Sequence, residues 1–188
     1  MRRIFFFLGS PGRRAERSLA LTDLFPVLRV LGMLMCLFAV AMLLPLGVAW
    51  SHGEAIWLVY PVAMVLTLAL GLALWGSLRR YKKELQPRHG VILVTLAWVL
   101  LPLSASLPLW LAMQYLGRPI SFTHAYFEAV SGLTTTGATV LTGLDALPLS
   151  VNMWRTFLQW MGGMGILILA VAVLPLLGVG GSQLFKAE

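Results

Sequence analysis

Charged side chains are scarce in this sequence, at 11% of its 188 residues. Soluble domains carry about a quarter charged residues, so the composition argues against an ordinary water-soluble fold. Hydrophobic residues make up 59% of the chain, and the mean hydropathy is +0.87. An apolar soluble bundle would still need a polar stripe along each helix, and the long apolar runs here have none. The sequence therefore predicts an integral membrane protein.

Cysteine and histidine are also rare, which removes several classes of chemistry. The single Cys36 cannot form an intramolecular disulfide, and we interpret it as a small packing residue inside a membrane span. The three histidines, His52, His89 and His124, are too scattered for a metal site. We also find no nucleophile–base constellation, glycine-rich phosphate loop or His/Cys cluster. We predict that the protein is not an enzyme and needs no cofactor.

Four apolar runs are long enough to cross a bilayer, which takes about 20 residues. They cover residues 30–50, 55–78, 91–116 and 151–177. The predicted fold class is therefore an all-α integral membrane protein with four transmembrane helices. Three prolines inside the first and third spans, Pro45, Pro102 and Pro108, are expected to kink them.

Lysine and arginine are absent from the short turn at residues 51–54, between the first two spans. Five arginines lie in the N-terminal segment at 1–23, and five basic residues lie in the linker at 79–90, where Pro87 and Gly90 are expected to break the helices. This asymmetry follows the positive-inside rule, so both termini are predicted to be cytoplasmic. We interpret the net charge of +7 as contact with the lipid bilayer rather than with nucleic acid.

The segment between the third and fourth spans, residues 120–150, must begin and end outside the cell under this topology. Yet residues 125–142 carry one charge, that of Glu128, which indicates a re-entrant segment. Ser121 can cap a helix whose apolar residues recur at helical spacing. We predict a short re-entrant helix over 121–133, because a dozen residues rise only about 18 Å. An amphipathic surface helix is the alternative interpretation.

The stretch that follows, residues 131–139, reads Ser-Gly-Leu-Thr-Thr-Thr-Gly-Ala-Thr. The consecutive Thr134, Thr135 and Thr136 are β-branched and favour extended backbone, while Gly137 permits a positive φ. An extended strand after a helix can point successive carbonyl oxygens in one direction, where they replace the hydration shell of a potassium ion. The C-terminal end of the preceding helix is partly negative and faces the same place. The pattern therefore predicts cation coordination without formal charge.

Residues 126–140, Tyr-Phe-Glu-Ala-Val-Ser-Gly-Leu-Thr-Thr-Thr-Gly-Ala-Thr-Val, resemble the first pore loop of the Trk/Ktr/HKT potassium transporter superfamily, and specifically its TrkH/TrkG type. The similarity continues through residues 143–148, 154–155, 159–165 and 174–181. It is strong over residues 125–188. The first two spans resemble the extra N-terminal helix pair of this family only in position and hydrophobicity.

This resemblance implies potassium uptake across the bacterial cytoplasmic (inner) membrane by a multi-pass, pore-forming subunit. Each of four repeats of span, pore loop and span then gives one strand to a selectivity filter. The backbone carbonyls of Thr135 and Thr136 would bind K⁺, with Gly137 as the filter glycine and Thr134 and Ala138 flanking them. The family also implies a homodimer and a cytoplasmic nucleotide-binding regulatory subunit of the TrkA/KtrA type.

The sequence contains one such repeat, over 91–188, after a basic segment over 1–23 and a helix pair with its linker over 24–90. One strand cannot encircle an ion. We favour a truncated or fragmentary product of such a pore-forming subunit, which does not conduct alone. Three alternatives stay open: a non-conducting fragment that acts only as an interaction partner, a homotetrameric cation channel built from this repeat, and separate chains that supply the other repeats.

A few residues outside the motif admit two interpretations. Glycines 162, 163 and 165 form either a hinge or a close packing surface, and we favour packing. Arg155 and Asp145 could steer cations or pair with each other, but we favour solvated or headgroup-bound side chains. Glu128 either adds negative potential near the pore mouth or is paired structurally, since a buried carboxylate needs a partner.

Overall fold

The computed structural model describes residues 24–80 and 87–173, and all the regular structure in these two ranges is helical. The predicted basic segment at 1–23 and the motif at 174–181 lie outside the described residues. The described residues form six α-helices: α1 (Phe25–Ala41), α2 (Leu43–Ser51), α3 (Val59–Ser77), α4 (Pro87–Tyr115), α5 (Phe122–Leu133) and α6 (Leu149–Val173). Short 3₁₀ turns lie at Ala55–Leu58 and Leu144–Ala146.

Three helical segments in the described ranges are long and apolar enough to cross a membrane: Phe25–Ser51, Ala55–Ser77 and His89–Tyr115. They agree within a few residues with the first three predicted spans. The predicted fourth span corresponds to α6, and the predicted re-entrant helix corresponds to α5, which has 12 residues.

The first predicted span is a helical segment that is interrupted at Met42, between α1 and α2. The Met42 N–H bonds to the Ala39 carbonyl, three residues back, at 3.1 Å. Pro45 lies one turn further on, has no N–H, and crowds the carbonyl four residues before it. The helix is thus interrupted one turn before the proline for which the sequence predicts a kink.

The linker between the second and third spans is shorter than predicted, because α4 already begins at Pro87. Proline is well tolerated in the first turn of a helix, where its missing N–H has no partner to lose. Gly90 continues this helix, so the prediction that it acts as a breaker was wrong. A helical glycine costs only about 1 kcal/mol, which the apolar residues that follow can offset.

Helices α1 and α3 approach closely at two glycines. A Cβ on Gly32 would lie 2.7 Å from the Gly71 carbonyl oxygen, and a Cβ on Gly71 would lie 2.8 Å from Cys36 Sγ. Small residues allow such close backbone contact between membrane helices. Cys36 is therefore a packing residue, as predicted.

Helix α4 remains continuous through its internal prolines. A proline lacks the N–H that would bond to the carbonyl four residues before it, and its ring crowds that carbonyl. Three residues before Pro102, the Val99 carbonyl accepts a hydrogen bond from Tyr126 Oη of α5 at 3.3 Å. Pro102 thus lies one turn beyond the carbonyl of α4 to which α5 is hydrogen-bonded.

Pro108 likewise lies one turn beyond a carbonyl of α4 that accepts a hydrogen bond from another helix, here α6. Three residues before it, the Ala105 carbonyl accepts a hydrogen bond from Trp154 Nε1 at 3.0 Å. Trp154 is fully buried, and its ring meets Phe38 of α1 edge to face at 5.8 Å. Helices α1, α4 and α6 therefore share one core around this indole.

The turn after α2 is hydrogen-bonded to the N-terminal end of α6. Glu54 accepts hydrogen bonds from the Ser150 N–H at 3.1 Å and from the Ser150 hydroxyl. Tyr60 Oη donates to Ser150 Oγ at 2.9 Å, and both residues are buried. A carboxylate is favourable at a helix N-terminus, so the N-terminal helices fix one end of α6.

Candidate functional site

Helix α5 carries the candidate site at its C-terminal end. The Ser121 hydroxyl oxygen accepts a hydrogen bond from the His124 N–H at 3.2 Å, which confirms the predicted N-cap. The helix lies between α4 and α6, and Ala125 and Ala129 on it are fully buried. The short helix is therefore held on both sides by longer ones.

Helix α6 crosses directly over the end of α5. A Cβ on Gly132 would lie 3.1 Å from Leu158 Cβ. A Cβ on Gly162 would overlap the Leu133 carbonyl oxygen, whereas Gly165 has nothing within 4 Å. The packing interpretation is thus confirmed at Gly162.

The helix ends in a Schellman cap. The Thr136 N–H bonds to the Ser131 carbonyl and the Thr135 N–H bonds to the Gly132 carbonyl, each at 2.9 Å. Such caps place one residue, usually glycine, in the left-handed region. Here Thr135 occupies that place, with φ of +57°.

The prediction of an extended Thr-Thr-Thr-Gly strand was therefore wrong in its first half. Thr134 has φ −82° and ψ 3° and still belongs to the helix end. Its Oγ1 donates to the Val130 carbonyl at 2.8 Å, a local bond that competes with the strand preference of a β-branched residue. Backbone outside the helix and its terminal turn begins only at Thr136.

Two residues with positive φ flank Thr136. Gly137 has φ of +76°, as the sequence predicted, and Thr135 is the non-glycine example among the described residues. A β-branched side chain in the left-handed region is an outlier that costs of the order of 1–3 kcal/mol. Strain of this kind concentrates at functional sites, and here it lies inside the predicted motif.

The segment at 134–140 is exposed along its whole length. The Thr134 and Thr136 hydroxyl oxygens are 2.7 Å apart, and Ser131 Oγ donates to the Ala138 carbonyl at 2.6 Å. The Ala138 carbonyl therefore turns toward α5. The polar atoms of this segment include carbonyl and hydroxyl oxygens, which are neutral ligands suited to an alkali cation.

A buried ion pair supports the segment, and the sequence did not identify the cationic partner of Glu128. Arg155 Nε lies 3.1 Å from Glu128 Oε2, and the Glu128 side chain is 2% exposed. The other carboxylate oxygen, Oε1, accepts from Thr139 Oγ1 at 2.5 Å and from the Val140 N–H at 2.6 Å. Glu128 thus joins α5, α6 and the non-helical segment at residues 139–140.

The favoured interpretation of Arg155 as a solvated or headgroup-bound side chain was therefore wrong, and its partner is Glu128 rather than Asp145. The structural pairing considered for Glu128 is confirmed. The sequence did contain a signal for this pairing, because a lone carboxylate in an apolar helix requires a partner. The two residues are 27 positions apart, so their pairing depended on how α6 crosses α5.

The family described as TrkH, cation transport protein, matches the chain over residues 60–188. The Trk system potassium uptake protein TrkH of Vibrio parahaemolyticus is 45% identical over 162 residues, which is 86% of this chain and 33% of that protein. The protein TrkG of Escherichia coli K12, with the same description, is 36% identical with the same coverage.

The crystal structure of the potassium transporter TrkH from Vibrio parahaemolyticus has the same fold over the shared part. Its TM-score is 0.76 at 43% identity, and the match covers 85% of this chain and 33% of that one. The chain therefore spans about one third of the length of the curated relatives it matches. Those relatives are named as uptake proteins, not as enzymes.

Proposed function

Because the chain belongs to the TrkH family of cation transport proteins, we propose that it forms part of the pore of a potassium uptake system in the bacterial cytoplasmic membrane. In this proposal it supplies one of four filter strands, and K⁺ is the transported ion. The observation that carries the proposal is the strained backbone just after α5, where Thr135 and Gly137 both have positive φ. The relatives' names, which specify potassium uptake, support the choice of ion.

The backbone carbonyls of Thr135 and Thr136 are proposed to bind K⁺. Gly137 follows them in the chain, and Ala138 comes next as a flanking residue. Their segment is exposed, and non-helical backbone at membrane depth is tolerated where it lines a water-filled cavity. The Ala138 carbonyl already accepts a bond from Ser131. This bond supports a peripheral role for Ala138.

The electrostatic field at the strand comes from dipoles in this proposal. The C-terminus of α5 directs its partly negative end toward the segment. The formal charge of Glu128 is balanced by Arg155 at 3.1 Å, so carbonyl oxygens rather than a free carboxylate attract the ion. Neutral oxygens allow an ion to bind and still leave, which conduction requires.

The proposed topology has four spans with α5 re-entrant and both termini cytoplasmic. Helix α6 has 25 residues and rises about 37 Å, enough for a hydrocarbon core of about 30 Å. The 12 residues of α5 rise about 18 Å and do not cross.

Aromatic residues support the proposed placement in a bilayer. Trp50 and Trp57 lie together at one end of the N-terminal helix hairpin, with ring centroids 5.8 Å apart. At the other end, the Arg79 guanidinium lies 4.8 Å from the centre of the Trp75 ring. Trp57 and Trp75 are separated by about 27 Å of helix, close to the thickness of the hydrocarbon core. Such aromatic belts mark the two membrane interfaces.

Assembly is part of the proposal, because one strand cannot surround an ion. Large apolar side chains on α6, including Trp160 and Leu167, are exposed and are available for the other repeats. A homodimer and a cytoplasmic regulatory subunit of the TrkA/KtrA type complete the proposed system.

The test compares the chain alone with a completed pore, in which it is fused to the remaining two thirds of Vibrio parahaemolyticus TrkH. In liposomes, the chain alone should give no selective K⁺ flux, and the fusion should take up K⁺ in preference to Na⁺. Selective flux from the chain alone would favour the homotetramer over a contribution to a larger pore. A correctly inserted fusion without K⁺ uptake would contradict the proposed function.

A further inference from the structure

The strand segment is tethered at two points with an exposed stretch between them. Before it, the Schellman cap fixes Thr135 and Thr136 to the end of α5. After it, Glu128 Oε1 accepts from Thr139 Oγ1, from the Val140 N–H and from the Leu141 N–H at 2.5, 2.6 and 3.3 Å. The second anchor is therefore a single carboxylate oxygen.

Arg155 holds that carboxylate in place from the side of α6. Its Nε bonds to Glu128 Oε2 at 3.1 Å and one terminal nitrogen donates to Thr139 Oγ1 at 3.2 Å. The other terminal nitrogen is 3.4 Å from Asn152 Oδ1, and Asn152 Nδ2 donates to the Leu144 carbonyl at 2.8 Å. The guanidinium thus links the carboxylate, the strand and the following turn in one network.

We propose that Glu128 and Arg155 are positioning residues that set the spacing of the filter carbonyls and thereby the discrimination between K⁺ and Na⁺. This inference rests on the proposed function. A filter distinguishes the two ions through the positions and stiffness of its carbonyl dipoles. Releasing the anchor at 139–141 frees one end of the 136–138 backbone, whose local restraint is the bond from Ser131 to the Ala138 carbonyl.

The network does not act by attracting cations to the pore. The Glu128 carboxylate is nearly inaccessible to solvent and is charge-balanced by Arg155. An anchor that releases the strand should change ion selectivity, whereas loss of an attracting charge should lower the uptake rate of both ions alike. The K⁺-to-Na⁺ uptake ratio and the uptake rate therefore distinguish a positioning role from a cation-attracting one.

The test uses the completed pore with Glu128→Gln, Thr139→Val and the control Asp145→Asn. Glu128→Gln removes the charge that binds Arg155, and Thr139→Val removes the linking hydroxyl with little change in shape. Asp145→Asn deletes the same charge from an exposed carboxylate in the following turn. Each variant is measured for membrane abundance, maximal K⁺ uptake and the K⁺-to-Na⁺ uptake ratio.

Glu128→Gln should lower the uptake ratio about tenfold, the change that corresponds to one hydrogen bond to a charged group. Thr139→Val should lower the ratio by about threefold, and Asp145→Asn should leave it unchanged. If Glu128→Gln fails to insert, Thr139→Val decides the question. A wild-type ratio in the inserted variants would overturn the positioning role alone, whereas an inserted unsubstituted fusion that does not transport K⁺ would overturn the proposed function itself.

Discussion

The carbonyl oxygen of Leu133, the last residue of α5, lies against Gly162 of α6 so closely that any Cβ there would overlap it. The contact joins the end of the short helix, just before the proposed filter, to the long helix beside it. A side chain at position 162 must push α5 and α6 apart.

Gly162→Ala should therefore destabilise the protein, with Gly165→Ala as its control. Overpacking typically costs about 1–3 kcal/mol, and the obstacle here is backbone, which cannot rotate away. Gly165 lies in the same helix with nothing within 4 Å of its Cβ position, so alanine there should be neutral or stabilising by about 0.5–1 kcal/mol. Thermal unfolding in detergent measures both; equal midpoints for the two variants would refute the close contact.

Ser150 connects the N-terminal helices to α6, and loss of its hydroxyl should weaken this connection. Ser150→Ala leaves the Tyr60 hydroxyl and one Glu54 oxygen without their partner, at a cost of about 1–3 kcal/mol for buried groups. Ser51→Ala removes an exposed hydroxyl that bonds within its own helix and should change stability little. Denaturant unfolding of the two variants compares them, and a Ser150→Ala protein as stable as wild type would show that this anchor is dispensable.

Thr135 holds a conformation that glycine adopts at no steric cost. Thr135→Gly should relieve the left-handed strain and stabilise the chain by about 1 kcal/mol. Thr136 is not among the residues with positive φ, so Thr136→Gly should destabilise the chain by about 0.5–1 kcal/mol. The sign of the two changes in unfolding free energy is the measurement, and destabilisation by Thr135→Gly would mean that the threonine side chain contributes more than its strain costs.

Orientation follows from the basic residues and can be tested with single cysteines in a Cys36→Ser background. His52→Cys lies in the exposed turn after α2, which the proposed topology places outside, and Arg79→Cys lies beyond the opposite end of α3. A membrane-impermeant thiol reagent added outside intact cells should label position 52 and spare position 79. The reverse pattern would invert the proposed topology.

The helices could be predicted from the sequence because their signals are local. Apolar run length located the first three spans, and the Ser121 cap located the start of α5. The sequence also showed that Gly137 permits a positive φ, which it adopts in the structure.

The missed features depend on tertiary contacts. Thr135 is left-handed because the helix cap places it there, against its own preference. The pairing of Glu128 with Arg155 required α6 to cross α5 at the close contact of Gly162 with Leu133. Neither relationship is encoded within a few residues of sequence.

Gly137 offers the most direct test of the proposed filter. Its Cβ position has nothing within 4 Å, while its φ is +76°, so a substitution there acts through backbone strain rather than through a clash. That strain is of the order of 1–2 kcal/mol, which approaches or exceeds a tenfold change in an equilibrium constant. Threonine-to-serine changes keep the carbonyl and the hydroxyl and should disturb coordination less.

The measurement is the Na⁺-to-K⁺ uptake ratio of the completed pore with Gly137→Ser, set beside Thr134→Ser, Thr135→Ser and Thr136→Ser at equal membrane abundance. The account predicts that Gly137→Ser raises this ratio about tenfold and more than any of the three serine variants at the threonines. An unchanged ratio in Gly137→Ser would contradict it and would move the filter away from residues 134–138.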